Sequence, residues 1–110
     1  MRQCFARKRN IFTLDSAKEE YSLFPDKVKA KINFLIDELR SLGTLSYPDA
    51  RKLKGYDLYE MRIKDEEIYR MIYCYIGLDV VVLSGFKKKT QKTPLREIRK
   101  ALKRRNNISY

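Results

Sequence analysis

Three apolar segments joined by very short connections constrain the fold of this 110-residue chain more than any other feature. They span residues 58–64, 68–76 and 80–86, and only three residues separate each segment from the next. Connections this short join neighbouring antiparallel strands. The sequence therefore predicts an antiparallel meander over residues 58–86.

Side chains alternate along these segments, which assigns each of them to one face of the sheet. Glu60 and Arg62 share a face in the first segment, and Arg70 is the one charged residue of the middle segment. A guanidinium without a partner is costly to bury, so Arg70 must reach the rim of the sheet, a carboxylate or a ligand phosphate. The other face of the middle segment carries Tyr69, Met71, Tyr73 and Tyr75. We expect this tyrosine face to cover helices rather than to stack on bases.

Two helices are predicted before the meander, after a short strand at residues 10–14. The first helix covers about residues 16–24, with Asp15 or Ser16 as its N-cap and Ser16-x-x-Glu19 as a capping box. The second begins near Pro25 and ends at Gly43. Its apolar positions recur every three or four residues at Val28, Ile32, Leu35, Ile36, Leu39 and Leu42. This spacing predicts a helical hairpin packed on the sheet.

The remaining segments are a loop and a last helix. Residues 44–56 have no periodicity and contain turn residues, so they are predicted to be a loop. Thr93 is the expected cap of a helix that Pro94 begins, with a narrow apolar stripe and many basic residues. The predicted fold class is α+β: one domain over residues 1–110, with an N-terminal strand, a two-helix hairpin, an antiparallel sheet of about four strands and a C-terminal helix.

Positive charge is concentrated at the end of the chain. Residues 86–110 hold ten Lys or Arg against one acid and so carry nine of the eleven net positive charges. Residues 11–85 are nearly balanced, at net −2. Clustered charge attracts polyanions over roughly 8 Å in physiological salt, which favours RNA as a partner. The alternative is a charged surface that only keeps the protein dispersed.

Several classes of site and location are excluded or disfavoured. The chain has no histidine, and Cys4 and Cys74 are 70 positions apart, so neither a zinc site nor a Cys-His nucleophile pair is expected. No cofactor is predicted, and both cysteines are expected to be reduced. The sequence shows neither a secretory signal nor an apolar run long enough for a membrane span. We therefore expect a cytoplasmic, soluble protein.

Four motifs, in this order of elements, resemble the RelE/ParE toxin superfamily, and most closely its phage-derived HigB-like branch. They are KLKG at residues 52–55, LYEMR at 58–62, IYR at 68–70 and GFKKKTQKTP at 85–94. The resemblance runs from about residue 14 to residue 105. It implies a toxin of a type II toxin–antitoxin system, partnered by a helix-turn-helix antitoxin. It also implies a ribosome-dependent mRNA endonuclease that inhibits translation by contacting mRNA and ribosomal RNA.

The resemblance also implies the site residues. Glu60, Arg62, Arg70 and Lys88 match the functional positions of the family's second, third and fourth strands. Two departures leave the general acid and base unidentified: Glu60 stands where some members have a lysine, and Pro94 stands where a histidine or tyrosine opens the last helix.

These residues suit RNA cleavage without a metal. When a 2′-hydroxyl attacks its neighbouring phosphate, negative charge grows on the phosphoryl oxygens, and cations aimed at that charge are the main requirement. We predict that Arg62 and Arg70 hold the phosphate, that Lys88 or Lys89 neutralises the leaving side, and that Glu60 is a candidate general base. The ordinary alternatives are a solvated cross-strand salt-bridge face for Glu60 and Arg62, and a buried acid partner for Arg70.

RNA-binding residues are predicted in three segments: the loop before the meander, the end of its last strand, and the last helix. They are Lys52, Lys54, Phe86, Lys87, Lys89, Lys92, Arg96 and Arg99. Backbone contact by lysines has low specificity, and a solvated charge run is the alternative. Phe86 could stack on a base or be a core aromatic at a strand end. The last helix is expected to present its charge to ribosomal RNA or to an acidic antitoxin.

Two other functions fit the same sequence. One is a non-enzymatic, gyrase-inhibiting toxin of the ParE type, which would use the basic last helix against a protein target. The other is an inactive toxin that acts as an antitoxin-bound transcriptional co-regulator. The active-site basic residues argue mildly against the second.

Overall fold

The computed structural model describes residues 8–89 and 92–108 of the chain. Cys4 and the basic residues Arg2 and Arg7 lie outside them. The elements in chain order are β1 (Asn10–Thr13), α1 (Asp15–Ser22), α2 (Asp26–Leu42), β2 (Ala50–Leu53), β3 (Leu58–Lys64), β4 (Ile68–Ile76), β5 (Asp79–Lys88) and α3 (Leu95–Asn106). The strands form one sheet in the order β1-β5-β4-β3-β2.

The predicted meander is confirmed. β3 pairs antiparallel with β4 and β4 with β5, so that Met61, Met71 and Gly85 lie side by side across the three strands. The register of β4 and β5 shifts between Ile72 and Tyr73, which leaves Leu83 as the extra residue of a β-bulge.

The sheet differs from the prediction in two respects, although the α+β class is confirmed. The segment 44–56, predicted as a loop, contains the four-residue strand β2, which pairs antiparallel with β3. The first strand, β1, pairs in parallel with β5, so the sheet is mixed and has five strands rather than about four. Pairing of β1 depends on residues far apart in sequence, and short connections give no information about it.

Helices cover both faces of the sheet. α1 and α2 pack on the face that carries the tyrosines, where Tyr69 and Tyr73 are 7% and 1% exposed. The expectation that these two tyrosines belong to the core is confirmed. α3 packs on the opposite face through Ile98 and Ala101. Cys74 is a free, buried thiol on that side, and burial raises its pKa to about 11.

The helix ends confirm one predicted signal and contradict two. Gly43 ends α2 in the left-handed conformation, with φ +81°, and its amide donates to the carbonyl of Leu39. The predicted capping box of Ser16 is wrong, because Leu14 precedes α1 and no side chain caps that helix. Thr93 does not cap α3 either: Pro94 is the N-cap residue, no side chain caps that helix, and the Thr93 hydroxyl donates to Glu60.

The edge of β5 beyond β1 is covered by an ion pair instead of a strand. The amide of Gly85 donates to Glu20 Oε1 at 3.0 Å, and Arg104 Nη1 donates to the carbonyl of Leu83 at 2.9 Å. Arg104 also holds the Glu20 carboxylate with both terminal nitrogens, at 2.8 and 3.0 Å. This Glu20–Arg104 pair therefore satisfies backbone groups that would otherwise be exposed and links α1 to α3.

The pair makes a direct prediction about stability. Burial alone would raise the pKa of Glu20, but hydrogen bonds from Arg104, Gly85 and Lys100 outweigh it and lower the pKa below the ordinary 4.5. The stabilisation is therefore present above pH 4.5 and is lost as the pH falls through the lowered pKa. Glu20→Gln should reduce the free energy of unfolding at pH 7 by about 1–3 kcal/mol in urea denaturation.

The control for that change is Glu19→Gln, on the exposed side of the same helix. It should leave the free energy of unfolding within about 0.5 kcal/mol of the wild-type value. The difference between the Glu20→Gln and wild-type proteins should shrink in acid. An equal loss of stability in both variants would contradict the role assigned to the pair.

Candidate functional site

A buried carboxylate organises the face of the sheet beside the start of α3. Glu60, on β3, is fully buried. Its Oε1 accepts from Arg70 Nη1 and, at 3.2 Å, from Arg51 Nε. Its Oε2 accepts from the hydroxyl of Thr93. One carboxylate thus joins two neighbouring strands to the segment that leads into α3.

Strand register explains how these side chains meet. Arg51 of β2 lies directly opposite Glu60. Arg70 of β4 lies diagonally across from Glu60, opposite Arg62. Side chains that are opposite or diagonal on one face of an antiparallel sheet are within reach of each other. The sequence required Arg70 to reach the rim of the sheet, a carboxylate or a ligand phosphate. In the structure it reaches a buried carboxylate, that of Glu60.

Arg70 is held in place by Glu60, and another of its N–H groups is available to bind an anion. The residue is 2% exposed, and burial, followed by the charge of Arg51, lowers its pKa to about 10, so it stays protonated at neutral pH. Its Nε is buried and has no hydrogen-bond partner among the described residues. A buried N–H without a partner is costly, and an anion bound at the site would satisfy it.

Arg62 is a second arginine, directly opposite Arg70 in the register of β3 and β4. Like charges in directly opposite positions destabilise a sheet. Such an arrangement becomes favourable when an anion lies between the two cations. This facing pair of arginines is the strongest geometric indication of an anion site in the described part of the chain.

Lys88 completes the cluster at the end of β5, where it is 6% exposed. Burial, and then the charges of Arg70, Arg51 and Arg62, lower its pKa to about 8. The site therefore holds four basic side chains around one carboxylate. Its positive excess suits a phosphodiester, and Lys88 is poised to exchange a proton near physiological pH.

A groove of about 1230 Å³ opens beside this cluster, between the β2–β3 turn, the end of β5 and the start of α3. Seven of the eight residues predicted to bind RNA line it, and Arg99 does not. They are Lys52, Lys54, Phe86, Lys87, Lys89, Lys92 and Arg96. The structure thus brings residues from three separate segments to one basic surface, which we call the basic groove.

Phe86 is 8% exposed and packs in the core beneath α3 with Ile98. Its ring therefore belongs mainly to the core, which is the second of the two interpretations of the sequence. Tyr56 lines the same groove and is half-buried.

Sequence reasoning missed two residues and overestimated the exposed charge of α3. Arg51 and Thr93 were not expected to contact Glu60; recognising β2 would have placed Arg51 opposite it. On α3, Lys100 and Arg104 bind Glu20, at 3.0 and 2.8 Å. Arg105 donates to the carbonyl of Tyr56 at 3.0 Å. These three basic residues therefore connect α3 to α1 and to the turn between β2 and β3.

Two kinds of site are absent from the described residues. Across residues 8–89 and 92–108, no group of three or more Cys, Asp or Glu side chains is placed to hold a metal ion. In the same ranges, none of the helices has the length and apolar character that crossing a membrane requires.

Comparisons with known proteins agree with this architecture. Residues 19–106 match the model of a family described as phage derived protein Gp49-like (DUF891). No curated protein matches the chain. A mutant of the E. coli toxin RelE in the free state is 19% identical with a TM-score of 0.68, and the match covers 89% of this chain and 97% of RelE.

Two further solved structures are similar. The YoeB dimer from Staphylococcus aureus is 28% identical with a TM-score of 0.57, over 76% of this chain and 99% of YoeB. RelE in the RelB-RelE antitoxin–toxin complex from Methanococcus jannaschii is 18% identical with a TM-score of 0.60, over 69% of this chain and 88% of that one. The resemblance to the RelE/ParE superfamily, which rested on sequence motifs, is confirmed.

The surroundings of Lys88 predict that its positive charge, which belongs to the basic cluster, lowers the stability of the fold. Because its pKa falls from 10.5 to about 8, the folded state binds fewer protons than the unfolded state between these values. Protonated Lys88 therefore costs stability below pH 8, and the cost disappears as the pH rises to 10.5. Lys88→Met should raise the free energy of unfolding at pH 7 by about 1–2 kcal/mol.

Urea denaturation of the two proteins at pH 7 and pH 10 measures this effect. The gain from Lys88→Met should shrink at the higher pH, and Lys89→Met, at an exposed position of the same segment, should change little at either. A loss of stability on replacing Lys88 would show that its charge is favourable where it lies.

Proposed function

The chain belongs to the phage-derived Gp49-like family, and on this premise we propose that it is the toxin of a type II toxin–antitoxin pair that cleaves mRNA on the ribosome. The observation that carries the proposal is the cluster of four basic side chains around Glu60, in which Arg62 and Arg70 are opposite each other in the strand register. Similarity to RelE and to YoeB, both named as toxins, supports it.

The basic groove supplies the first requirement, which is attraction of an RNA backbone. Its lysines lie on three segments, and the groove borders the cluster through Arg51 and Thr93, which line it and contact Glu60. Salt-dependent contacts to phosphates would give affinity without sequence preference. The volume, about 1230 Å³, exceeds that of a site for a single small molecule and suits a stretch of single-stranded RNA.

The scissile phosphate would lie between Arg62 and Arg70. There it relieves the repulsion of the facing arginines and accepts from the buried Nε of Arg70, which lacks a protein partner among the described residues. As the 2′-oxygen bonds to phosphorus, the added negative charge meets cations already in place. Cleavage of the bond from phosphorus to the 5′-oxygen leaves a 2′,3′-cyclic phosphate and a 5′-hydroxyl.

Two protons have to move in this reaction. The attacking 2′-hydroxyl loses one, and Glu60 is our candidate to accept it. Thr93 already donates a hydroxyl proton to Oε2 of Glu60, while Oε1 holds the two arginines. A 2′-hydroxyl that replaces the threonine hydroxyl would find the same acceptor. Glu60 thus positions Arg51 and Arg70 and offers a base on its other oxygen.

Lys88 is our candidate to protonate the leaving 5′-oxygen. Its lowered pKa, about 8, keeps the ammonium mostly protonated at neutral pH and makes its proton easier to release than that of an ordinary lysine. Glu60 and Lys88 would then be the general base and the general acid. The sequence left both roles unassigned because Pro94 stands in place of a histidine or tyrosine.

The expected partner is an antitoxin of the helix-turn-helix type. Two of the similar structures are complexes: RelB with RelE from M. jannaschii, and YoeB with YefM from S. aureus. Two exposed basic residues of α3 would contact ribosomal RNA: Arg96 from the lining of the basic groove and Arg99 from outside it. Action on the ribosome would place the protein in the cytoplasm.

Expression of the chain without an antitoxin tests the proposal. Growth should stop, and mapping of transcripts soon after induction should show new 5′-hydroxyl ends in translated regions. Arg62→Gln should reduce cleavage by about 100-fold or more, because it removes one of two cations facing the phosphate. The matched control is Arg40→Gln, on the outside of α2, where the arginine pairs with Asp37.

Two outcomes would contradict the enzyme. A DNA damage response with intact transcripts would indicate a gyrase inhibitor, and harmless expression of a folded protein would indicate an inactive co-regulator. Thermal unfolding of Arg62→Gln has to match the wild-type protein for its loss of cleavage to count.

The acid role of Lys88 predicts a pH dependence. With purified ribosomes programmed with mRNA, kcat/KM should fall as the pH rises through about 8, because neutral Lys88 cannot donate a proton. Lys88→Arg, which keeps its charge at every accessible pH, should be slower and should lose this alkaline fall. A rate that rises through pH 8 would assign Lys88 the role of base instead.

A further inference from the structure

A second groove lies on the other side of the β3 edge, facing α2. β2 pairs with β3 as far as Met61, and the amide of Arg62 donates to the carbonyl of Asp49 at 2.7 Å, so Ile63 and Lys64 lie at an edge of the described sheet. The groove at this edge has a volume of about 470 Å³. It is lined by Lys31, Phe34, Leu35, Pro48, Asp49, Arg62, Ile63 and Lys64.

Phe34 is the unusual residue of this groove. Most of the apolar side chains of α2 are buried in the core, whereas Phe34 points outward and is 63% exposed. Around its ring are three basic residues, Lys31, Arg62 and Lys64, against one acid, Asp49. An exposed aromatic ring bordered by cations is the combination that binds a nucleobase and its phosphate in single-stranded RNA.

Arg62 connects this groove to the cluster around Glu60. It lines the groove beside Phe34, and its charge is also one of those that lower the pKa of Lys88. A phosphate held by Arg62 would therefore have its neighbouring nucleotide directed over the strand edge toward Phe34. Arg62 is thus the residue that the second groove and the cluster have in common.

The size of the groove favours a single nucleotide over a protein segment. A volume of about 470 Å³ falls in the range of sites for small molecules, roughly 300–1,000 Å³. An amphipathic helix needs a longer apolar surface than one phenylalanine, one leucine, one isoleucine and one proline provide. The positive rim matches a phosphate group.

We propose that this groove is a nucleotide subsite, in which a base next to the scissile phosphate stacks on Phe34 while Arg62 holds the phosphate between this groove and the cluster around Glu60. The proposal deepens the proposed function and rests on it for the identity of the ligand as RNA. Phe34 would be a binding residue that holds the substrate without taking part in bond making or breaking.

Binding to a non-cleavable RNA tests the subsite directly. The probe is a fluorescently labelled, 2′-O-methylated hexaribonucleotide, measured by anisotropy on the full chain at low salt. Phe34→Ala should weaken binding by about 5-fold or more, as expected when one base loses its stacking partner. Phe34→Trp should bind at least as tightly as the wild-type protein. Leu42→Ala, at a 52% exposed position of the same helix, should bind like the wild-type protein.

Cleavage on programmed ribosomes gives the second readout. Phe34→Ala should raise KM and leave kcat nearly unchanged, whereas Arg62→Gln lowers kcat. A 4-thiouridine placed beside the cleaved phosphate should cross-link to the α2 peptide that contains Phe34.

The proposal is overturned if Phe34→Ala matches Leu42→Ala in binding and cleavage, or if the cross-link forms elsewhere. Normal RNA binding by Phe34→Ala, together with a weaker complex with the protein encoded by the adjacent gene, would show that the groove is a protein interface. A wild-type protein that binds the hexanucleotide but cuts no mRNA would count against the proposed function and leave the subsite standing.

Discussion

The burial of one carboxylate is the constraint on which the arrangement of this site depends. Glu60 lies at the centre of the α3 side of the sheet, and a buried charge is tolerated only with close, hydrogen-bonded partners. Those partners come from β2, from β4 and from the segment before α3, so the same contacts that satisfy Glu60 bring Arg51, Arg70 and Thr93 together. The carboxylate therefore determines where the site lies, because a buried carboxylate has to be surrounded by hydrogen-bonding partners.

Local sequence rules predicted the parts of this structure that depend on neighbours in sequence. Three-residue connections required the antiparallel meander, and alternation placed Glu60 and Arg62 on one face of β3. The register of β3 and β4 in the structure is what brings Arg70 to the same face. β2 was not predicted, because a four-residue edge strand with two basic residues in its middle has no apolar periodicity of its own. Its pairing with β3 makes it a strand, and that pairing is what carries Arg51 to Glu60.

The density of basic residues along the chain predicted RNA contact less well than the positions of those residues in the fold. The basic end of the chain suggested RNA contact throughout, yet Lys100, Arg104 and Arg105 hold α3 to other parts of the fold. The positive charge that faces the basic groove comes instead from both sides of the meander and from the start of α3. Composition identifies a class of ligand, whereas the register of strands decides which cations can reach it.

The Glu20–Arg104 pair has a consequence for the order of folding. Its partners are 84 residues apart in sequence, so the entropy of closing that loop makes the contact one of the last that we expect to form. Until then the carbonyl of Leu83 and the amide of Gly85 lie on an exposed strand edge that another chain could extend. The docking of the last helix thus closes the sheet against self-association, and folding intermediates that lack it are the species most prone to aggregate.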